Sequence, residues 1–118
     1  LQEAMDAAAK KFLEKNVLEK PAVKYASYIK RTSRYGIYGC LSVQWDKVDN
    51  ATSYEVMVTK ADGTKKTYTT SYNTFVRANY YDEFLKDVEN ATVRVKAYGE
   101  DETFSLWSDK VVVTTYNF

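Results

Sequence analysis

Groups able to do chemistry are plentiful in this 118-residue chain but poorly assorted. Its carboxylates gather at Asp82-Glu83, at Asp87 and Glu89, and at Glu100-Asp101-Glu102. Paired carboxylates do acid–base work only where a pocket raises one pKa. These fall in expected turns, where water keeps them ionised. They also lack the Asp-x-Asp-x-Asp-Gly spacing with a terminal Glu that a calcium loop needs, so no metal is expected. Serine and threonine hydroxyls have no His to activate them, because the chain contains none. Neither a Gly-x-Ser-x-Gly elbow nor a supported Ser-x-x-Lys is present. The single Cys40 cannot make an internal disulfide, a zinc site or a CxxC redox pair. It reads as a half-buried structural thiol, with a reactive or intermolecular thiol as the alternative. No glycine-rich phosphate loop occurs. The chain is therefore not expected to be an enzyme, and no cofactor is implied.

Binding is better provided for. Tyrosine gives large amphipathic area at low entropy cost, and the chain has 11 of them. Tyr72, Tyr80 and Tyr81 fall in expected connections. Tyr80-Tyr81 beside Asp82-Glu83 makes the best candidate surface, since an aromatic platform with adjacent hydrogen-bonding groups suits sugars or peptides. Trp107 has two readings: stacking on the outward Arg94 and Lys96, or an exposed binding aromatic. Lys24, Lys30, Arg31 and Arg34 interleave with Tyr25, Tyr28, Tyr35 and Tyr38, the mixture that grips single-stranded nucleic acid. Strand alternation alone would give that pattern, with Tyr inward and Lys outward. The whole chain carries a net charge of only +1, which argues against nucleic acid and acidic lipid as partners. No apolar run approaches the roughly 18–20 residues of a membrane span, and the start has no signal-peptide pattern. Asn50-Ala-Thr52 and Asn90-Ala-Thr92 fit the glycosylation acceptor pattern.

The elements that must position these groups are mainly β. The chain has 13 Val, 12 Thr and 11 Tyr against six Leu, side chains that suit a pleated surface better than a helix. The exception is the start. Leu1, Met5, Ala8 and Phe12 recur on one helical face, widened by Leu13 and Val17, which predicts a helix over about 2–18. Pro21 ends it. An amphipathic stretch of this kind is marginal alone in water, so it is expected to pack on the same molecule or on a dimer partner. Beyond Pro21 the period becomes two. Leu41, Val43 and Trp45 alternate with Ser42 and Gln44, and Tyr54, Val56 and Val58 alternate with Glu55, Met57 and Thr59. Asp62-Gly63 marks a hairpin turn before a strand at Lys65–Thr70. With further strands near 23–30, 74–77, 93–97 and 111–115, seven short strands predict an antiparallel sandwich. Trp45 is the expected filler between its sheets.

In order, Leu41-Ser-Val-Gln-Trp45, Ala51-Thr-Ser-Tyr54-Glu-Val56, Leu85, Val93-Arg-Val-Lys-Ala97, Ser105-Leu-Trp107-Ser108 and Val111-Val-Val113 resemble a fibronectin type III domain over about residues 21–116. The run from Trp45 to Ala51 is more similar to the bacterial branch. The resemblance implies a seven-stranded immunoglobulin-like sandwich at 21–118 after an N-terminal helix at 1–20. It also implies a non-catalytic structural or protein-interaction module of a larger secreted or cell-surface bacterial protein, next to neighbouring domains. A carbohydrate-binding accessory role is the alternative. Two departures stand out. Ala91 occupies the place of the tyrosine whose hydroxyl locks the corner before the sixth strand, and the chain is poor in Pro and Gly. No Arg-Gly-Asp occurs, so integrin-type adhesion is not implied.

Overall fold

The computed structural model describes residues 17–34, 36–79, 82–86 and 88–117. The alternation read from the sequence sets the strands: in 51–59, Tyr54, Val56 and Val58 are buried while Glu55, Met57 and Thr59 are not. Among the described residues the strands are β1 (Val17–Leu18), β2 (Val23–Ser33), β3 (Gly36–Trp45), β4 (Ala51–Thr59) and β5 (Lys65–Thr70). They continue with β6 (Thr74–Ala78), β7 (Thr92–Gly99), β8 (Phe104–Ser105), β9 (Val111–Val112) and β10 (Thr114–Asn117). A single turn of 3₁₀-helix lies at Glu83–Lys86.

These strands form two sheets. One is six-stranded in the order β1-β8-β7-β4-β5, with β9 also beside β7; the other is four-stranded in the order β10-β2-β3-β6. Tyr28, Leu41, Val43, Trp45 and Phe75 from the smaller sheet share one core with Tyr54, Val56, Val58, Val93, Val95 and Ala97 from the larger. This is a β-sandwich architecture. Trp45 is fully buried, as expected, with its ring edge-on to Tyr54 at 5.3 Å between centroids. Burying an aromatic of this size contributes about 1.5–3 kcal/mol. The Tyr54 hydroxyl in turn accepts the Val48 N–H at 3.0 Å, tying the β3–β4 connection to the core.

Two expectations are corrected. Among the described residues ten strand segments replace the predicted seven. The predicted last strand is divided: β9 lies beside β7, then Val113 turns into the core and β10 crosses to the other sheet, pairing parallel with β2. β8 and β1 are additional, and β1 pairs parallel with β8. The helix predicted over 2–18 does not reach its expected end, because Val17 and Leu18 are strand; residues 2–16 lie outside the described residues. Among the described residues no helix is long and apolar enough to cross a membrane.

Turn chemistry follows the sequence. Gly63 has φ +93°, and the Asp62 carboxylate accepts the Thr64 N–H at 2.9 Å and the Thr64 hydroxyl. Asn50 and Asn90, at φ 67° and 62°, occupy left-handed turn positions that Asn tolerates. Gly39 is required for a different reason. A Cβ there would collide with the Tyr28 ring, whose hydroxyl donates to the Lys86 carbonyl at 3.3 Å.

Candidate binding surface

The sequence-predicted surface is not assembled. Tyr72 is exposed in the β5–β6 turn. Tyr80 and Tyr81 lie outside the described residues. Glu83 is exposed, 3.3 Å from Lys86 Nζ. Asp82 is not a solvated loop carboxylate; its side chain is 5% exposed. Its Oδ2 accepts the Tyr68 hydroxyl at 2.7 Å and lies 2.8 Å from Lys66 Nζ and 3.7 Å from Arg77 Nε. Its Oδ1 accepts the Phe84 N–H at 3.0 Å.

Burial alone would raise the Asp82 pKa. Hydrogen bonds from Lys66, Tyr68 and Phe84, with the Lys66 charge, outweigh it and hold the carboxyl below its ordinary value. Tyr68 is raised, first by burial and then by its bond to Asp82 and that carboxylate's charge. The cluster pins the turn at 82–86 onto β5 and β6. The Ala91 corner is closed by backbone instead: Ala91 N–H donates to the Val88 carbonyl at 3.1 Å, and the Ala91 carbonyl accepts from Val113 N–H at 2.8 Å. With Leu85, Val88 and Ala91 fully buried, no corner tyrosine is needed.

Trp107 belongs to another assembly, at the margin of the six-stranded sheet opposite β5. Along β7, Arg94, Lys96 and Tyr98 alternate with buried Val93, Val95 and Ala97 and so share the outer face. Between β8 and β9 the chain leaves regular pairing, and two serines replace the missing ladder. Ser105 Oγ accepts the Ala97 N–H and Ser108 Oγ the Val95 N–H, both at 2.8 Å. Both serines are buried, which turns Leu106 and Trp107 outward between them. The tight turn at 99–104, with positive φ at Asp101 and Glu102, sets Phe104 opposite Tyr98.

The result is a cation walled by three rings. Lys96 Nζ lies 5.2 Å from the centroid of Tyr98, 5.1 Å from Phe104 and 5.7 Å from Trp107. Each such contact contributes about 0.5–1 kcal/mol at an exposed site. The stacking reading of Trp107 thus holds for Lys96, and the indole is half-buried rather than free. The Arg94 Nε, buried on the same face, has no hydrogen-bond partner. Glu55, across from Lys96 in register, accepts the Tyr98 hydroxyl at 3.5 Å. Phe104 and Leu106 remain exposed at the rim. Sequence alternation placed Lys96 and Tyr98 together on the outer face; Phe104 joins them only through the hairpin register, which no local pattern announces.

The outer face of the four-stranded sheet is different. Register aligns Tyr116, Ile29, Cys40 and Ala78 in one row and Thr114, Ser27, Ser42 and Val76 in the next, with Tyr25, Gln44 and Thr74 beyond. None is charged. Tyr38, Cys40, Val76, Arg77 and Ala78 line a shallow depression of about 480 Å³ on this side. Burial raises the Cys40 thiol pKa, in keeping with a half-buried, inert thiol. The tyrosines here do not follow the expected inward pattern. Tyr25 and Tyr28 stand three residues apart in an unbroken run of pairing, so Tyr28 points inward while Tyr25 faces outward, and Tyr38 opposite Arg31 is exposed as well. Among the described residues no three His, Cys, Asp or Glu side chains form a metal-holding group.

Comparison with protein-family models and with curated proteins finds no match. The reading of function therefore rests on geometry and on the motifs themselves.

Proposed function

We propose that this chain is a fibronectin type III-like module with a non-catalytic role, presenting a protein-binding surface within a larger secreted or cell-surface bacterial protein. Strand order supports the fold reading: β2, β3 and β6 face β5, β4, β7 and the β8–β9 segment, with Trp45 wedged against Tyr54. The observation that carries the functional reading is the Lys96 patch. It joins aromatic area, a rim of exposed Phe104 and Leu106, and the outer-face cations Lys96 and Arg94. Interfaces concentrate aromatic and Arg side chains in this way. A peptide carrying a carboxylate next to an apolar residue fits it, the acid reaching Arg94 and Lys96 and the apolar group lying on Phe104 and Trp107.

A second reading, carbohydrate binding, is favoured by the same three rings standing beside Lys96 and Glu55 as hydrogen-bonding groups. Panning a displayed random-peptide library on the wild-type chain and on Trp107→Ala separates them. Peptides retained by the wild type and lost with Trp107→Ala support the protein-binding reading. Failure to enrich any peptide, together with glycan-array binding lost in the same variant, replaces it with the carbohydrate reading.

A further inference from the structure

We infer that the uncharged outer face of the four-stranded sheet is a self-association surface that a second copy of this chain covers. A solvated sheet face normally carries charge, and this chain is 28% Asp, Glu, Lys and Arg. Yet from Tyr25 to Ile29 on β2, and across β3, β6 and β10 in register, the outward positions hold none. The nearby charges are paired, and of those on β2 before Arg31, on β3 and on β6 only Arg77 reaches the margin of the depression beside Val76. Lys24 lies in the bulge and pairs with Asp46 at 3.0 Å, Lys30 with Glu89 at 3.0 Å, and Arg77 Nε lies 3.7 Å from Asp82. Arg31, beside Tyr38 at the hairpin end, is the first charge on the face.

What the face exposes instead is Tyr25 at 45%, Ile29 at 41%, Tyr38 at 50%, Val76 at 61% and Tyr116 at 51%. With whole aromatic side chains offering about 150–250 Å², these five expose roughly 400–500 Å². Two copies would bury roughly 800–1,000 Å² from them alone, close to the lower bound of a specific interface before Ser27, Ser42 and Thr114 are added.

Charge selects the occupant. A charged partner would lose hydration here and find no counter-charge. A two-fold pairing sets each patch against itself, so any charge near the axis would meet its like. A neutral face avoids that repulsion. Among the described residues the other outer face, with Glu55, Arg94 and Lys96, does not match it. This inference does not depend on the Lys96 patch.

Sedimentation equilibrium of the 118-residue chain tests it, from micromolar to several hundred micromolar. The expected species is a dimer of the 13.6 kDa chain. Ile29→Glu and, separately, Val76→Glu should raise the dissociation constant by at least about tenfold without altering the melting profile of the monomer. Arg94→Glu on the opposite face should leave it unchanged. A monomer at every concentration overturns the inference. So does a dimer that survives both face substitutions and dissociates with Phe12→Lys, which would place the contact in the N-terminal stretch.

Discussion

The two outer faces of the sandwich solve the problem of meeting water in opposite ways. On the six-stranded sheet, outward Glu55, Arg94 and Lys96 supply charge, and Lys96 lies over three rings so that aromatic area is screened by a cation. On the four-stranded sheet, outward Tyr25, Ile29, Val76 and Tyr116 have no charged neighbour within their rows, and Tyr38 meets Arg31 at the hairpin end. Both faces rest on the same core and use the same alternation. The difference therefore belongs to what each face meets rather than to what the fold needs. A cation-capped aromatic cluster tolerates solvent while waiting for a ligand; an uncharged tyrosine-rich face calls for a permanent cover.

The contrast holds only while the shared interior is intact, so the largest expected effect strikes both faces at once. Trp45→Ala should cost about 3–5 kcal/mol by chemical denaturation, and a curve left nearly unchanged would deny that one core supports the two sheets. Gly39→Val acts on the four-stranded sheet first. Its new side chain meets the Tyr28 ring, for an expected loss of about 1–3 kcal/mol and faster amide exchange in β2 and β3 than in β4 and β7.

Asp82→Asn should cost about 1–3 kcal/mol at neutral pH, because buried donors lose a charged acceptor. It also separates a structural carboxylate from a binding one. The folded Asp82 pKa is depressed, so its contribution is present above the unfolded value near 3.9 and fades as pH falls through the folded value. Wild-type stability should therefore drop below about pH 4, and the variant should lose part of that dependence. Stability profiles that superimpose would return Asp82 to the solvated loop.

Smaller still is Lys96→Met, expected to cost about 0.5–1 kcal/mol through lost cation–π contacts while abolishing peptide retention at Trp107. At the end of the scale, Ile29→Glu should move monomer stability by no more than about 0.5 kcal/mol, because the two-fifths exposed side chain leaves no core gap. A large loss there would mean that the uncharged face is held within the monomer, and the contrast between the faces would fail.

Much of the framework was legible because alternation over three or more residues states which side is buried. That gave β3, β4 and β7, the Asp62-Gly63 turn, and the burial of Trp45 against Tyr54. The site was less legible, since its parts meet through register rather than pattern. Phe104 reaches Lys96 only because positive φ at Asp101 and Glu102 folds the chain back on Tyr98. Asp82 looked like a turn residue until Lys66, Tyr68 and Arg77 converged on it from β5 and β6. Tyr25 departs from its expected direction because it stands three residues from Tyr28, and an odd spacing sets two side chains on opposite faces of a strand. The division of the last strand likewise hangs on Val113, whose N–H turns to the Ala91 carbonyl and whose side chain enters the core, a break that the run Val111-Val-Val113 does not announce.

Tryptophan fluorescence of a Trp107→Phe variant, which leaves Trp45 as the sole indole, tests the sandwich most directly. Short-wavelength emission that iodide cannot quench until the chain is denatured is the expected result. Long-wavelength emission quenched by iodide under native conditions would place the indole in water and contradict a core shared by two sheets.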